Sequence, residues 1–253
     1  MKSRYLLILC VSLLFTAAFA ESPNKVFQEA NTAYQQNDFQ KANELYKKLV
    51  LDYKIISVEV FYNLANSFYR LSDYPSAILF YQKALKLDPS NDDVRYNLKL
   101  VQSKIEDRVE PIPQLFYKRW FTSLRAYFNT DTWAYLFILS FLVATALFGV
   151  YILAKHLKNR KLGFYGFCIF SILTFAFLVF SWSSYQQNEK KKHAVIFAGS
   201  ISVKSAPVQS SLGLYILHAG TTVEIIDELG EWVKIRLEDG KEGWVILGDL
   251  EII

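Results

Sequence analysis

The segment NSFYRLSDYPSA at residues 66–77 decides the reading, because NTAYQQNDFQKA at residues 31–42 repeats it at an offset of 35 residues. The same offset pairs Ala30 with Ala65, Asp38 with Asp73 and Tyr46 with Tyr81. A fixed period of this size is the mark of a repeat architecture. Each copy reads as a helix, a short polar turn and a second helix. Ala30 and Ala65 stand where the two helices cross, with Ala42 and Ala77 on the partner helix. Side chains that small allow an axial separation of ~8–10 Å. Phe39 and Tyr74 fill the wedge between the helices. Asp38 and Asp73 sit just before the second helices and can cap them. Pro75 falls in a first turn, where proline is tolerated, and Pro89 ends the second repeat.

Working outward, residues 92–109 predict a capping helix carrying Val94, Leu98, Val101 and Ile105. Two repeats and a cap are too few to bury their own faces, so the array is expected to lean on a neighbour. The first helices place Phe27, Asn31, Tyr34 and Gln35, then Tyr62, Asn66, Tyr69 and Arg70, toward a concave groove. Asparagine there can both donate to and accept from an extended peptide; Tyr34 and Tyr69 suit core packing equally. The pattern resembles the tetratricopeptide repeat. Residues 58–91 carry Leu64, Ala65, Tyr69, Asp73, Tyr74, Ala77, Tyr81, Ala84 and Pro89 at its signature positions. Residues 23–57 diverge, with Glu29 for the usual leucine, one extra residue, and Lys54 near the place of the closing proline. The resemblance implies a peptide-binding groove. Phe27 replaces the first lysine of the carboxylate-clamp subtype, so binding of chaperone tails is not expected.

Residues 2–4 read Lys-Ser-Arg, an apolar run follows, and Ala18-Phe19-Ala20 closes it. A basic start, a short apolar stretch and small residues at its end describe a signal peptide over 1–20. The alternative is an uncleaved anchor, for which 16 residues is marginal. Residues 110–132 read as a linker and an interfacial helix, with Phe116, Trp120, Leu124 and Phe128 at four-residue spacing. A helix packed on the repeats is the alternative. Residues 133–154 and 162–182 carry no charge, and each is long enough to span a ~30 Å hydrocarbon core. Trp133, Tyr135, Tyr151 and Trp182 sit near their ends, as interfacial aromatics do. Residues 155–161 between them hold four Lys+Arg in seven positions. The positive-inside rule puts that loop in the cytoplasm, and a cleaved leader gives the same orientation. The expected address is the inner membrane, with both soluble parts on the periplasmic side.

Residues 183–253 begin as a juxtamembrane linker and become rich in glycine and β-branched residues. Seven of the ten glycines lie between 199 and 248. Alternating runs at 222–226 and 232–237 predict strands, and Asp239-Gly240 predicts a tight hairpin. Val203 to Pro207, Leu217 to Gly220, Trp232 to Ile235 and Asp239 to Val245 resemble, in order and spacing, the bacterial SH3 domain. That implies a small all-β barrel that binds protein segments or cell-wall peptide. Trp232 and Trp244 can offer an aromatic face; at least one is expected in the core.

Charge and composition narrow the function. Residues 21–131 are near neutral, with 15 Lys+Arg against 14 Asp+Glu, and residues 193–253 are acidic, with 4 against 9. A net +4 spread this way does not suit a polyanion binder. Cys10 and Cys168 both lie in apolar runs, which excludes a disulfide framework, a cysteine zinc site and a cysteine nucleophile. The sequence carries no Walker A segment, G-x-S-x-G or H-E-x-x-H. No catalytic, cofactor or metal site is expected.

The fold class is therefore a multidomain membrane protein: an all-α tetratricopeptide repeat domain over 21–109, two transmembrane helices, and a C-terminal SH3-like barrel. In its order of parts the whole chain resembles the BatE type of Bacteroides aerotolerance operon proteins. That resemblance implies a non-catalytic scaffold, with von Willebrand A-type membrane proteins and a MoxR-type ATPase as partners, linked to aerotolerance or envelope stress. A cell-wall sensor whose SH3 domain binds peptidoglycan peptide is the alternative.

Overall fold

The computed structural model describes residues 22–110, 112–113, 115–186 and 192–253. The expected leader at 1–20 lies outside them. Two helical hairpins open the described chain: α1 (Pro23–Gln35) with α2 (Phe39–Leu51), and α3 (Val58–Arg70) with α4 (Tyr74–Leu87). The 35-residue period holds to single atoms. Asn37 and Ser72 both adopt positive φ, 62° and 64°. The N–H groups of Asp38 and Asp73 return to Ala33 and Phe68 carbonyls at 2.9 and 3.0 Å. Both aspartates cap the helix that follows, accepting from Lys41 N–H at 3.1 Å and Ser76 N–H at 3.2 Å. Ala30, Ala42, Ala65 and Ala77 are all fully buried, as their crossing positions require. Lys54, at a φ of 54°, turns the chain where the first repeat has its extra residue and no proline.

The cap, α5 (Asp92–Gln102), is shorter than the sequence predicts. Residues 103–109 leave the helix and run across the C-terminal unit. Ile105 still packs on the repeat core, Val109 joins the barrel core, and Ile112 N–H bonds Glu238 O at 3.2 Å. Ile105 continues the apolar period although the helix has ended at Gln102, and Asp107 beyond it bonds His218 and Thr221, far away in sequence.

Next come α6 (Phe116–Arg125), α7 (Thr130–Leu153) and α8 (Leu157–Tyr185). The last two are antiparallel, long and apolar enough to cross a membrane, and keep most of their surface unburied. Their backbones touch at Gly163, where a Cβ would stand 2.7 Å from Tyr151 N and 2.9 Å from Leu147 O. Thr174 Oγ1 donates to Ser140 Oγ at 3.0 Å across the pair. The connection is tighter than the seven-residue loop read from sequence: α8 starts at Leu157, so Lys158, Arg160 and Lys161 lie in its first turns. The stripe of α6 does not pack on the repeats. Phe116, Trp120 and Leu124 are exposed, while Phe121 stacks on Phe180 at 5.1 Å.

Seven strands complete the chain: β1 (Lys192–Ile196), β2 (Ser200–Lys204), β3 (Gly213–His218), β4 (Thr222–Leu229), β5 (Trp232–Arg236), β6 (Glu242–Ile246) and β7 (Leu250–Ile252). They form one antiparallel sheet in the order β3-β2-β6-β5-β4-β1-β7. Every strand sends residues to a single core, including Ile196, Val203, Leu217, Val223, Ile235, Val245 and Leu250. The Asp239-Gly240 turn is present, with Gly240 at a φ of 87°.

The repeats lean on this sheet. Val195 of β1 is fully buried in the repeat core, and Phe197 and Ile253 pack there too. Gln82 of α4 donates to Thr222 Oγ1 at 2.8 Å, and Lys86 Nζ to Ile253 O at 3.1 Å.

Candidate partner-binding surfaces

The groove is built by repeated stitches between helices. Asn31 Oδ1 accepts from Tyr46 Oη at 2.6 Å and from Asn63 Nδ2 at 3.4 Å. One repeat later, Asn66 Oδ1 accepts from Tyr81 Oη and from Asn97 Nδ2, the latter at 3.3 Å. The two asparagines therefore spend their carbonyls holding successive hairpins in register. Burial drives the hydroxyl pKa of Tyr46 and of Tyr81 well above the tyrosine range. Both stay neutral donors at any physiological pH.

Tyr34, Tyr62, Asn66, Tyr69 and Arg70 meet around a cavity of about 240 Å³, joined by Tyr81, Asn97, Leu100 and Val101. Arg70 lies over the Phe39 ring at 4.3 Å, a cation–π contact that fixes its exposed guanidinium at the rim. Burial raises the pKa of Tyr34, opposed by the Arg70 charge. Three sequence candidates lie outside the cavity. Phe27 sets its ring edge on Tyr46 at 6.2 Å, Asn31 belongs to the first stitch, and Gln35 is exposed at the end of α1. Sequence reasoning missed Asn97. The signal was present, since α5 supplies a third asparagine 31 residues after Asn66.

On the sheet, alternation decides the tryptophans. Val233, Ile235 and Val245 point into the core, so Trp232 and Trp244 share the opposite face and are half-exposed. The expectation that one would be core is corrected by this parity. Trp232 faces Ile246, and Trp244 faces Lys234 on one side and Lys204 on the other. An offset of two residues across adjacent strands brings the two indoles within diagonal reach, ~7–8 Å between backbones. Beside them Glu242 bonds Lys234 Nζ and Arg236 Nη2, both at 2.7 Å. Those bonds hold its carboxyl below the usual carboxylate range. The face offers aromatic surface bordered by neutralised ion pairs.

A third constellation joins the two units. Asp107 Oδ2 accepts from His218 N–H and from Thr221 Oγ1, each at 2.6 Å, and Oδ1 lies 2.8 Å from His218 Nδ1. Glu106 stands 3.4 Å from His218 Nε2. The bond to Asp107 raises the imidazole pKa. Burial pushes the Asp107 carboxyl upward, but the bonds from His218 and Thr221 outweigh it and leave that pKa low. Among the described residues no group of three or more His, Cys, Asp or Glu is disposed to hold a metal ion.

Comparison with known families agrees with this geometry. Residues 58–91 match the family model of the tetratricopeptide repeat, and residues 199–251 that of the bacterial SH3 domain. No curated protein matches the chain. Both modules are typically non-catalytic binding domains, and no enzyme family is indicated. The chain thus combines a tetratricopeptide-like helical region, two candidate membrane helices and an SH3-like antiparallel sheet, a composition suited to holding other molecules.

Proposed function

We infer that the chain is a membrane-anchored scaffold that binds protein partners through the repeat groove and the tryptophan face of the barrel. One observation carries this reading: the repeats and the barrel share buried surface, so α7 and α8 leave and re-enter a single joined body. A hairpin that starts and ends on one side of a membrane fits that closure. The basic residues near Leu157 then face the cytoplasm, and the joined body the periplasm of an inner membrane. The BatE-type order of parts supports von Willebrand A-type membrane proteins and a MoxR-type ATPase as companions in an aerotolerance or envelope-stress complex.

The test is cross-linking in membranes of the native host. Arg70→Glu and Tyr69→Ala alter the groove without touching the asparagine stitches; Trp232→Ala with Trp244→Ala strips the barrel face. Loss of cross-linked partners from either set supports the scaffold. Unchanged cross-links in both sets would remove it. The half-buried indoles also suit stacking on a sugar or wall peptide, the second reading. Strong sedimentation of the folded protein with purified peptidoglycan, abolished by the tryptophan changes, would promote it.

A further inference from the structure

The C-terminal half of α6 and the turn before α5 face each other across an open cleft of about 430 Å³. Ser90, Asp92 and Arg95 line one wall; Thr122, Ser123, Arg125 and Tyr127 line the other. The space is far larger than one water needs, ~30 Å³ in the liquid.

Arg125 is the unusual residue. It is half-buried, and Nη1 donates to Ser183 O at 3.4 Å, a long bond. Among the described residues no carboxylate pairs with it, and burial is the cause that depresses its pKa. Its backbone is fixed, since Trp133 Nε1 donates to Arg125 O at 3.0 Å and Phe121 stacks on Phe180. A half-buried guanidinium that meets no carboxylate among the described residues gains from an anion that joins it. Across the cleft Arg95 Nη2 bonds Ser90 O at 2.7 Å and Asp92 at 3.0 Å. Two arginines against one aspartate leave the cleft at +1. Ser123 and Tyr127 also line it.

The cleft also has a defined level. The Ser183 carbonyl that receives Arg125 belongs to the last turn of α8, next to exposed Trp182. Below it α7 and α8 expose apolar side chains along their length, and α6 exposes Phe116, Trp120 and Leu124 beside it. Aromatic residues of this kind mark the headgroup layer. We propose that the cleft between residues 90–95 and α6 holds the phosphate of an anionic phospholipid, gripped by Arg125 and supported by Arg95, with its acyl chains on the apolar surface of the hairpin. Arginine suits the task because its planar fork gives paired bonds to phosphate oxygens. The proposal rests on the reading that α7 and α8 cross a membrane.

The test uses the full chain extracted in mild detergent and examined by native mass spectrometry with phosphatidylglycerol or phosphatidylcholine. Wild type is expected to retain phosphatidylglycerol in preference. Arg125→Gln should lower that retention roughly tenfold, the scale of a lost charge-assisted bond, and Arg125→Lys by less. Inorganic phosphate at equal concentration should leave the lipid bound. If Arg125→Gln fails to fold by circular dichroism, Arg95→Gln at the exposed rim carries the test, with a smaller drop expected. Equal retention in wild type and the folded variants overturns the proposal. Displacement by inorganic phosphate makes the cleft a free-anion site and overturns the lipid assignment. Release of the wild-type chain from membranes by alkaline carbonate would instead sink the spanning reading underneath it.

Discussion

Asp107 shows how much one side chain can decide. It sits 111 residues from His218 and 114 from Thr221, so neither periodicity nor spacing announces its role. From sequence it falls within the capping helix read over 92–109. In the structure it lies beyond the helix, which ends at Gln102, and its carboxylate fastens two units. The linkage has a sign. The His218 pKa is raised above its ordinary 6.5, so its contribution is fully present below that value and fades as pH rises through the elevated one. The Asp107 pKa lies below its ordinary 3.8, so its contribution is present above 3.8 and fades as pH falls through the lowered one. The clasp is therefore tightest between those ordinary values and weaker in neutral solution. It loosens without opening, because the His218 backbone N–H does not titrate. His218 should titrate above 6.5 by NMR in the native protein and return toward 6.5 in Asp107→Asn. An unmoved midpoint would deny the ion pair. Gly220, next to Thr221, admits no side chain: its φ is 94°, and a Cβ would stand 2.6 Å from Ile105 Cγ2. Gly220→Ala combines backbone strain with overpacking, and a loss of ~1–3 kcal/mol is expected in denaturant melts. A neutral result would show that the seam can shift.

At the level of elements, legibility follows range. The helical hairpins were legible because their determinants are local: Asp38 and Asp73 cap the next turn, Asn37 and Ser72 make the bend, and alanines mark the crossings. The extent of α5 was not, because Ile105 continues the apolar period after the helix has ended. The groove was half legible. Tyr34, Tyr62, Asn66, Tyr69 and Arg70 line one cavity, and Asn31 and Asn66 are also stitches, a role visible only once Tyr46 and Tyr81 are placed beside them. The core place expected for one tryptophan gives way to the parity of Val233, Ile235 and Val245, which leaves both on the other face. The stitches make a prediction specific to the repeat. Tyr46→Phe and Tyr81→Phe each remove one buried hydroxyl and leave an asparagine carbonyl short of a donor. Each should cost about 1–3 kcal/mol, and by similar amounts because the surroundings repeat. A large difference between them would show that one stitch is incidental.

For the whole molecule, the number of repeats is the problem and the barrel is its solution. A two-hairpin array with one short cap leaves an apolar flank on α4, and repeat units are stable only as far as neighbours cover them. Val195 covers that flank from a strand far along the chain, with Phe197 and Ile253 beside it. The barrel is thus a structural end-piece of the array as well as an SH3-like module of its own, which ties any change at one surface to the other. Removing it has a defined consequence. A chain ending at Tyr185 keeps both apolar helices, whose backbones are satisfied internally, but exposes the seat of Val195. Full burial of one such side chain is worth ~1.5–3 kcal/mol. For a repeat unit of this size that lowers the melting midpoint by at least ~6 °C. Calorimetry of the intact protein should show repeats and barrel unfolding together, and the shortened chain should melt earlier with its α7–α8 pair still in the membrane fraction. If the repeats melt at one temperature with or without the barrel, the shared core contributes nothing to stability. Val195 would then be a bystander, and the two binding surfaces would act independently.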